Sequence, residues 1–206
     1  MHRQVSPALV ALSWIFSAAV YSRLPGRIAT HYDLAGMPDR WDPKIVGAFI
    51  IPVLMLITLL AARWQPQRGE PRMNDQSFLA LRELVLTSLL AFLALMHVGL
   101  IGAALDWRVS VPQLLPLGLG ALFLVFGHVL PRLQRSGLVG IRTRSTLASE
   151  QAWVRTHRVV GAIMTAGGTI MIGAALFDAG RAMMIAVGAA VLSAVATLGY
   201  VYQTRA

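Results

Sequence analysis

His31, Asp33, Asp39 and Asp42 fall within twelve consecutive residues of a chain that has only nine acidic residues and five histidines. An imidazole beside two or three carboxylates is a donor set that could hold a divalent cation. The spacing lacks any compact metal-ligand pattern, so neither a metal nor another cofactor is expected. His31 and Asp33 alternate, as on one face of a short extended segment, and Gly36 with Pro38 and Asp39 reads as a turn. Trp41 and Tyr32 are placed to sit at headgroup level in a membrane. The expectation for this segment, 24–44, is a polar hairpin or loop that binds a ligand or partner through His31, Asp33, Gly36, Asp39, Arg40 and Trp41.

A second constellation occupies 137–161, where Gly140, Arg142, Thr143 and Thr146 precede Trp153, Thr156 and His157. Thr146 or Ser149 can cap a helix leading into the apolar run that follows. On such a helix Trp153, Thr156, His157 and Val160 share one face, while Arg155 and Arg158 point the other way. Arginines on that outer face can meet anionic headgroups at about 1 kcal/mol each. The Trp/Thr/His face turns inward, toward the other helices or a ligand, and the segment as a whole is expected to bind a partner. Two further histidines lie in apolar surroundings, His97 mid-stretch and His128 near the end of the next stretch. An ionisable group at membrane depth is a functional candidate. Interhelical hydrogen bonding is the alternative for His97 and the preferred reading for His128.

The elements that must position these residues follow from composition. Hydrophobic residues make up 56 % of the 206 and charged residues 13 %, with a mean hydropathy of +0.64. A soluble domain has about 25 % charged residues, so this chain reads as an integral membrane protein. A soluble enzyme, a secreted toxin and a cytosolic regulator are excluded. The net charge of +9 would suit a nucleic-acid binder only if it gathered on one folded face. Here the basic residues, all arginine except Lys44, lie between long apolar runs, and no direct nucleic-acid partner is expected. Cysteine is absent, which removes disulfides and thiol chemistry.

A bilayer core about 30 Å thick needs about 20 apolar residues as helix, and six stretches qualify: 5–22, 45–62, 84–105, 111–130, 159–177 and 182–202. The reading is an all-α single membrane domain over 1–206, with a polar loop after the first helix and an amphipathic segment before the fifth. The joints at 106–108 and 178–181 are short, making helices three and four, and five and six, antiparallel pairs. Placing the N-terminus inside puts Arg3, Arg63, Arg68, Arg72, Arg82, Arg132, Arg135, Arg142, Arg144, Arg155, Arg158 and Arg205 in the cytoplasm. Arg23, Arg27, Arg40, Lys44, Arg108 and Arg181 are then outside. This excess favours both termini inside, with 24–44 external and 137–161 cytoplasmic. The connection 63–83, with Pro66 and Pro71, reads as a solvated loop. Ser17-x-Ala19 could mark a cleaved signal, but the apolar run continues to Tyr21, and a retained anchor is expected. No internal repeat of the inverted transporter type is evident.

Small residues Gly161, Ala162, Ala166, Gly167 and Gly168 in the fifth stretch, and Ala189, Ser193 and Thr197 in the sixth, permit close helix approach. Pro52 removes a backbone hydrogen bond within the second stretch, which a kink or neighbour must compensate.

At the two polar constellations the chain resembles the SdpI family of bacterial membrane proteins. Leu24-Pro25 with His31-Tyr32-Asp33, Gly36 and Pro38-Asp39-Arg40-Trp41 is similar to the family's N-terminal signature. Gly140-Ile141-Arg142-Thr143, Thr146-Leu147, Trp153, Thr156-His157-Arg158 and Gly161 are similar to its C-terminal one, with Arg144-Ser145 standing in place of a proline-aromatic pair. The resemblance implies a multi-pass plasma-membrane protein that confers immunity to a secreted killing peptide. It also implies that such a protein can relay the peptide's presence to a cytoplasmic repressor. The alternatives are a small-solute transporter, for which only His97 offers an ionisable group at depth, and an intramembrane metal-assisted hydrolase. The hydrolase lacks a His-Glu-x-x-His pattern and any carboxylate within a span, so the chain is expected not to be an enzyme.

Overall fold

The computed structural model describes residues 5–64, 76–136 and 139–204. Arg3, Arg68, Arg72 and Arg205 of the charge count, the prolines of the second connection and positions 137 and 138 of the second segment lie outside these. Six long helices cross the molecule: α1 (Val5–Val20), α2 (Lys44–Arg63), α3 (Gln76–Ala104), α4 (Val111–Val129), α6 (Glu150–Phe177) and α7 (Ala182–Gln203). All six are long and apolar enough to span a membrane. Two short strands, β1 (Arg27–Tyr32) and β2 (Pro38–Pro43), form an antiparallel hairpin between α1 and α2, and a five-residue helix, α5 (Arg144–Ala148), precedes α6.

Helices α1, α2 and α3 form one packed group and α4, α6 and α7 another, joined where α3 lies against α4. The hairpin therefore shares one end of the bundle with the α3–α4 and α6–α7 joints. The α5 region shares the opposite end with the C-terminus of α7. At the α3–α4 joint, Trp107 donates its N–H to Gly102 O at 2.9 Å. The tight reversal puts Asp106 in the left-handed region, φ 58°.

Two helices are longer than the hydropathy runs. At 1.5 Å per residue the 28 residues of α6 reach about 42 Å, beyond the hydrocarbon core. The amphipathic segment and the fifth stretch are thus one continuous helix beginning at Glu150, and α3 likewise begins at Gln76. Hydropathy marks only the apolar part of a helix, whereas backbone hydrogen bonding continues through polar turns. Ser149 caps α6, its hydroxyl accepting from Ala152 N–H at 3.3 Å. Thr146 caps nothing on α6; it closes a capping box with Thr143 around α5. Pro52 is buried inside α2, which continues past it.

The small residues pack differently from the sequence expectation. Gly167 does face α7, where an added Cβ would run into Ser193 Oγ. Ala162 and Ala166 are exposed. The closest approach is between α6 and α4, where glycines pair reciprocally at seven-residue spacing. A Cβ on Gly168 would lie 2.6 Å from Gly120 O, and one on Gly161 2.9 Å from Gly127 O. With lipid on all sides there is no hydrophobic gradient to orient a helix, so backbone contact between small residues decides its partner.

Helix α1 shows the same logic with polar residues. Its buried residues are Ser6, Val10, Ser13 and Ser17, while Leu12 and Ile15 are exposed. Ser6 Oγ lies 2.9 Å from Thr87 Oγ1, and Ser17 donates to Ala48 O at 2.6 Å.

Candidate functional site

The hairpin is anchored before it is functional. Ile28, on β1, is 1 % exposed and packs on Gly47 of α2, beside Leu24, Ala48, Leu100 and Ile101. Backbone register pairs Arg27 with Pro43, Ile28 with Asp42 and Ala29 with Trp41. Arg27 donates to Trp41 O at 2.6 Å, and Thr30 Oγ1 donates to Asp42 Oδ2. Arg40 Nε also reaches Asp42, at 3.4 Å.

The turn uses the residues that read as ligands. The Asp33 carboxylate accepts from Met37 N–H at 2.8 Å, while its backbone accepts from Gly36 N–H at 2.9 Å. Gly36 takes φ 79° and a Cβ there would lie 2.8 Å from Pro112, so the tip rests on the start of α4 with no room for a side chain. His31 Nδ1 lies 2.5 Å from Asp39 Oδ1 across the strands, in an exposed pair. The three carboxylates are thus engaged separately, and among the described residues no three His, Asp or Glu side chains converge.

A cavity of about 580 Å³ opens beside the turn. Its polar side is Thr30, His31, Tyr32 and Asp33; its apolar walls come from Ile51, Met96, Leu100, Val111, Leu115, Met183 and Val187. Burial pushes the Tyr32 phenol above its usual value, keeping it a neutral hydroxyl. Asp39, Arg40 and Trp41 are exposed and line no part of this cavity; Trp41 instead borders a smaller cleft with Pro25 and Arg27.

The second constellation is tied into a knot at the opposite end. Trp153, Thr146, Thr156 and His157 are 0–3 % exposed, while Arg142, Arg155 and Arg158 are exposed. The Trp153 and His157 rings stack at 4.1 Å. His157 Nδ1–H donates to Trp153 O at 2.9 Å, and its Nε2 accepts from Ile141 N–H at 3.0 Å. A carbonyl only accepts and a backbone amide only donates, so this imidazole is neutral with both nitrogens occupied. It has no lone pair left for a metal or a substrate proton. Trp153 Nε1–H donates to Leu133 O at 2.7 Å, and Thr146 Oγ1–H to Ile141 O at 2.8 Å. Gly140 is the residue that permits this closure. Its φ is 113° and an added Cβ would meet Trp153 Cη2 at 2.6 Å.

His97 lies fully buried between α1 and α2, its Nε2 2.9 Å from Ser17 Oγ, with its ring edge-on to Phe16. Because Ser17 gives its own proton to Ala48 O, it accepts from His97. His128 is exposed. Ser6, Ser13 and Ser17 form the polar stripe that packs α1 on its neighbours, and their spacing of seven and four on one helical face is its signal in the sequence.

The fold and these two ends define a multi-pass, six-helix membrane protein with a polar hairpin at one end and a side-chain knot at the other. Residues 132–201 match the SdpI/YfhL protein family, and residues 8–56 match a domain of unknown function, DUF1648. Over that C-terminal third the chain is similar to the SdpI/YfhL protein family. It is 25% identical over 167 residues to Immunity protein SdpI of Bacillus subtilis (strain 168), a match covering 81% of this chain and 78% of that protein. It is 36% identical over 58 residues to Uncharacterized membrane protein YbgB of the same organism, covering 27% of this chain and 64% of that protein. No solved structure matches the chain.

Proposed function

We propose that this protein protects a bacterium from a secreted killing peptide, and that the hairpin end is where the peptide is met. The observation that supports this most directly is the cavity beside His31 and Asp33, about 580 Å³ with a polar mouth and apolar walls. Such a site accepts an amphipathic segment, apolar side chain inward and backbone at the polar rim. The likeness to a protein named Immunity protein SdpI supports the same reading. In this reading the protein lies in the plasma membrane, with the hairpin external and both termini cytoplasmic, following the arginine excess.

The knot end then serves a cytoplasmic repressor. Arg142 and the edge at Gly140 and Thr143 face that partner, and Thr146, Trp153 and His157 hold the edge in place. The bundle separates the two ends, so binding outside and docking inside are two steps rather than one reaction centre.

Deleting the gene in its own host tests the function. Cells without the protein should lose viability in medium conditioned by the parent strain, and the wild-type gene should restore it. A deletion strain that grows normally in that medium, at every growth stage sampled, overturns the proposal.

A further inference from the structure

The cavity beside the hairpin turn has a counterpart of about 580 Å³ toward the knot end, where Gly140 and Ile141 form part of the lining. Helices α2, α3, α4 and α7 wall both cavities. They stand in a row, α2 packed on α3, α3 on α4 and α4 on α7. Ile51 on α2 and Met96 on α3 line the first cavity, and Thr58 and Leu89 line the second. In each helix the two positions are about two turns apart and so share a face. On α7, Val187 lines the first cavity, and the exposed Ala194, about two turns on, continues the same face toward the second. The two cavities are thus successive parts of one groove along this row of helices.

The length of the groove and the charges at its ends restrict what can fill it. On α3 the lining runs from Phe78 to Leu100, about 33 Å at 1.5 Å per residue. That matches a hydrocarbon core about 30 Å thick. A lipid acyl chain reaches through one leaflet, whereas an apolar helix of about 20 residues crosses both. The Asp33 carboxylate stands at the hairpin end and the Arg82 guanidinium at the other. Asp33 accepts from Met37 N–H, and Arg82 donates to Ala62 O. Each group keeps further hydrogen-bonding capacity. A helix is positive at its N-terminus and negative at its C-terminus, so the charges of the groove favour one direction.

We infer that the groove receives a single apolar peptide helix, lying across the membrane between α2 and α7 with its N-terminus at Asp33 and its C-terminus at Arg82. The inference rests on the protective role proposed above, and makes the peptide met at the hairpin a membrane-spanning one. The far end of that helix lies against Gly140 and Ile141, so the edge offered to the repressor is in contact with the occupant itself.

Cells carrying the full-length protein, exposed to medium conditioned by the parent strain, provide the test. Ala194→Trp fills the groove between its two cavities and should abolish protection at unchanged abundance. Leu192→Trp, at the same depth on the opposite, exposed face of α7, should protect as the wild type does. A photoreactive phenylalanine in place of Ile51 or of Thr58 then reports the occupant, by mass spectrometry of the irradiated and purified protein. The same peptide should be attached at both positions, near its N-terminus at Ile51 and near its C-terminus at Thr58. Phospholipid or a second copy of this chain at both positions overturns the inference, as does full protection by Ala194→Trp. Peptide attached at Ile51 alone also overturns it, while leaving recognition at the hairpin intact. Absence of protection by the wild-type protein overturns the protective role and the groove's occupant together. If Ala194→Trp fails to accumulate, the two attachment sites decide.

Discussion

Trp153 stacks on His157 one helical turn away, at 4.1 Å, and between them the two rings fix Leu133 and Ile141, which come from outside their helix. Two backbone groups outside the helix, Leu133 O and Ile141 N–H, are thereby held to α6. The signature residues at this end are mostly spent on one another, and their shared product is the shape of the Gly140–Thr143 edge.

Breaking this knot should cost stability in graded steps. Trp153→Phe keeps the stacking and loses the bond to Leu133, about 1 kcal/mol. Removing the Ile141 acceptor with His157→Ala should cost about 1–3 kcal/mol. Trp153→Ala should cost about 3–5 kcal/mol and lower the amount of protein in the membrane. Thermal unfolding in detergent, with quantitative blotting of membranes, measures both. Equal stability of all three variants would mean that the knot does not hold the loop.

The glycine contacts between α4 and α6 predict a contrast between two single methyl groups. Gly168→Ala drives a Cβ into Gly120 O and should destabilise by about 1–3 kcal/mol. Gly188→Ala, with nothing within 4 Å of the new Cβ, should be neutral or stabilise by up to about 1 kcal/mol. Unfolding midpoints for the pair are enough to check it.

On the hairpin, the turn and the proposed recognition surface separate at neighbouring residues. Asp33→Ala removes the acceptor for Met37 N–H and should reduce protein abundance, whereas Asp33→Asn keeps an acceptor and should not. His31→Ala breaks only an exposed pair and should leave abundance unchanged, yet abolish protection in conditioned medium. Normal protection by the His31 variant would move recognition elsewhere.

Orientation has its own check. Reporter fusions after Lys44 and after Trp107 should report the external compartment, and one after Gln134 the cytoplasm. The reverse pattern would place the hairpin inside and invert the proposed division of labour.

Much of this protein is local and so was legible in the sequence. Six apolar runs suffice for six helices, because each backbone must satisfy its own hydrogen bonds in lipid wherever its neighbours are. The inward face of Trp153, Thr156, His157 and Val160 follows from helical period alone. What the tertiary structure decided is which polar group meets which. Asp33 and Asp39 have like chemistry on paper, but backbone reversal spends the first carboxylate on Met37 N–H in the turn and sets the second across the strands against His31. Ser17 and His97 are 80 positions apart, and only the packing of α1 on α3 makes them partners. The pairing of α6 with α4 through Gly168 and Gly120 is equally non-local. A membrane interior offers no outward or inward preference to apolar side chains, so helix faces are chosen by close backbone contact and scarce hydrogen bonds, which exist only between segments already brought together.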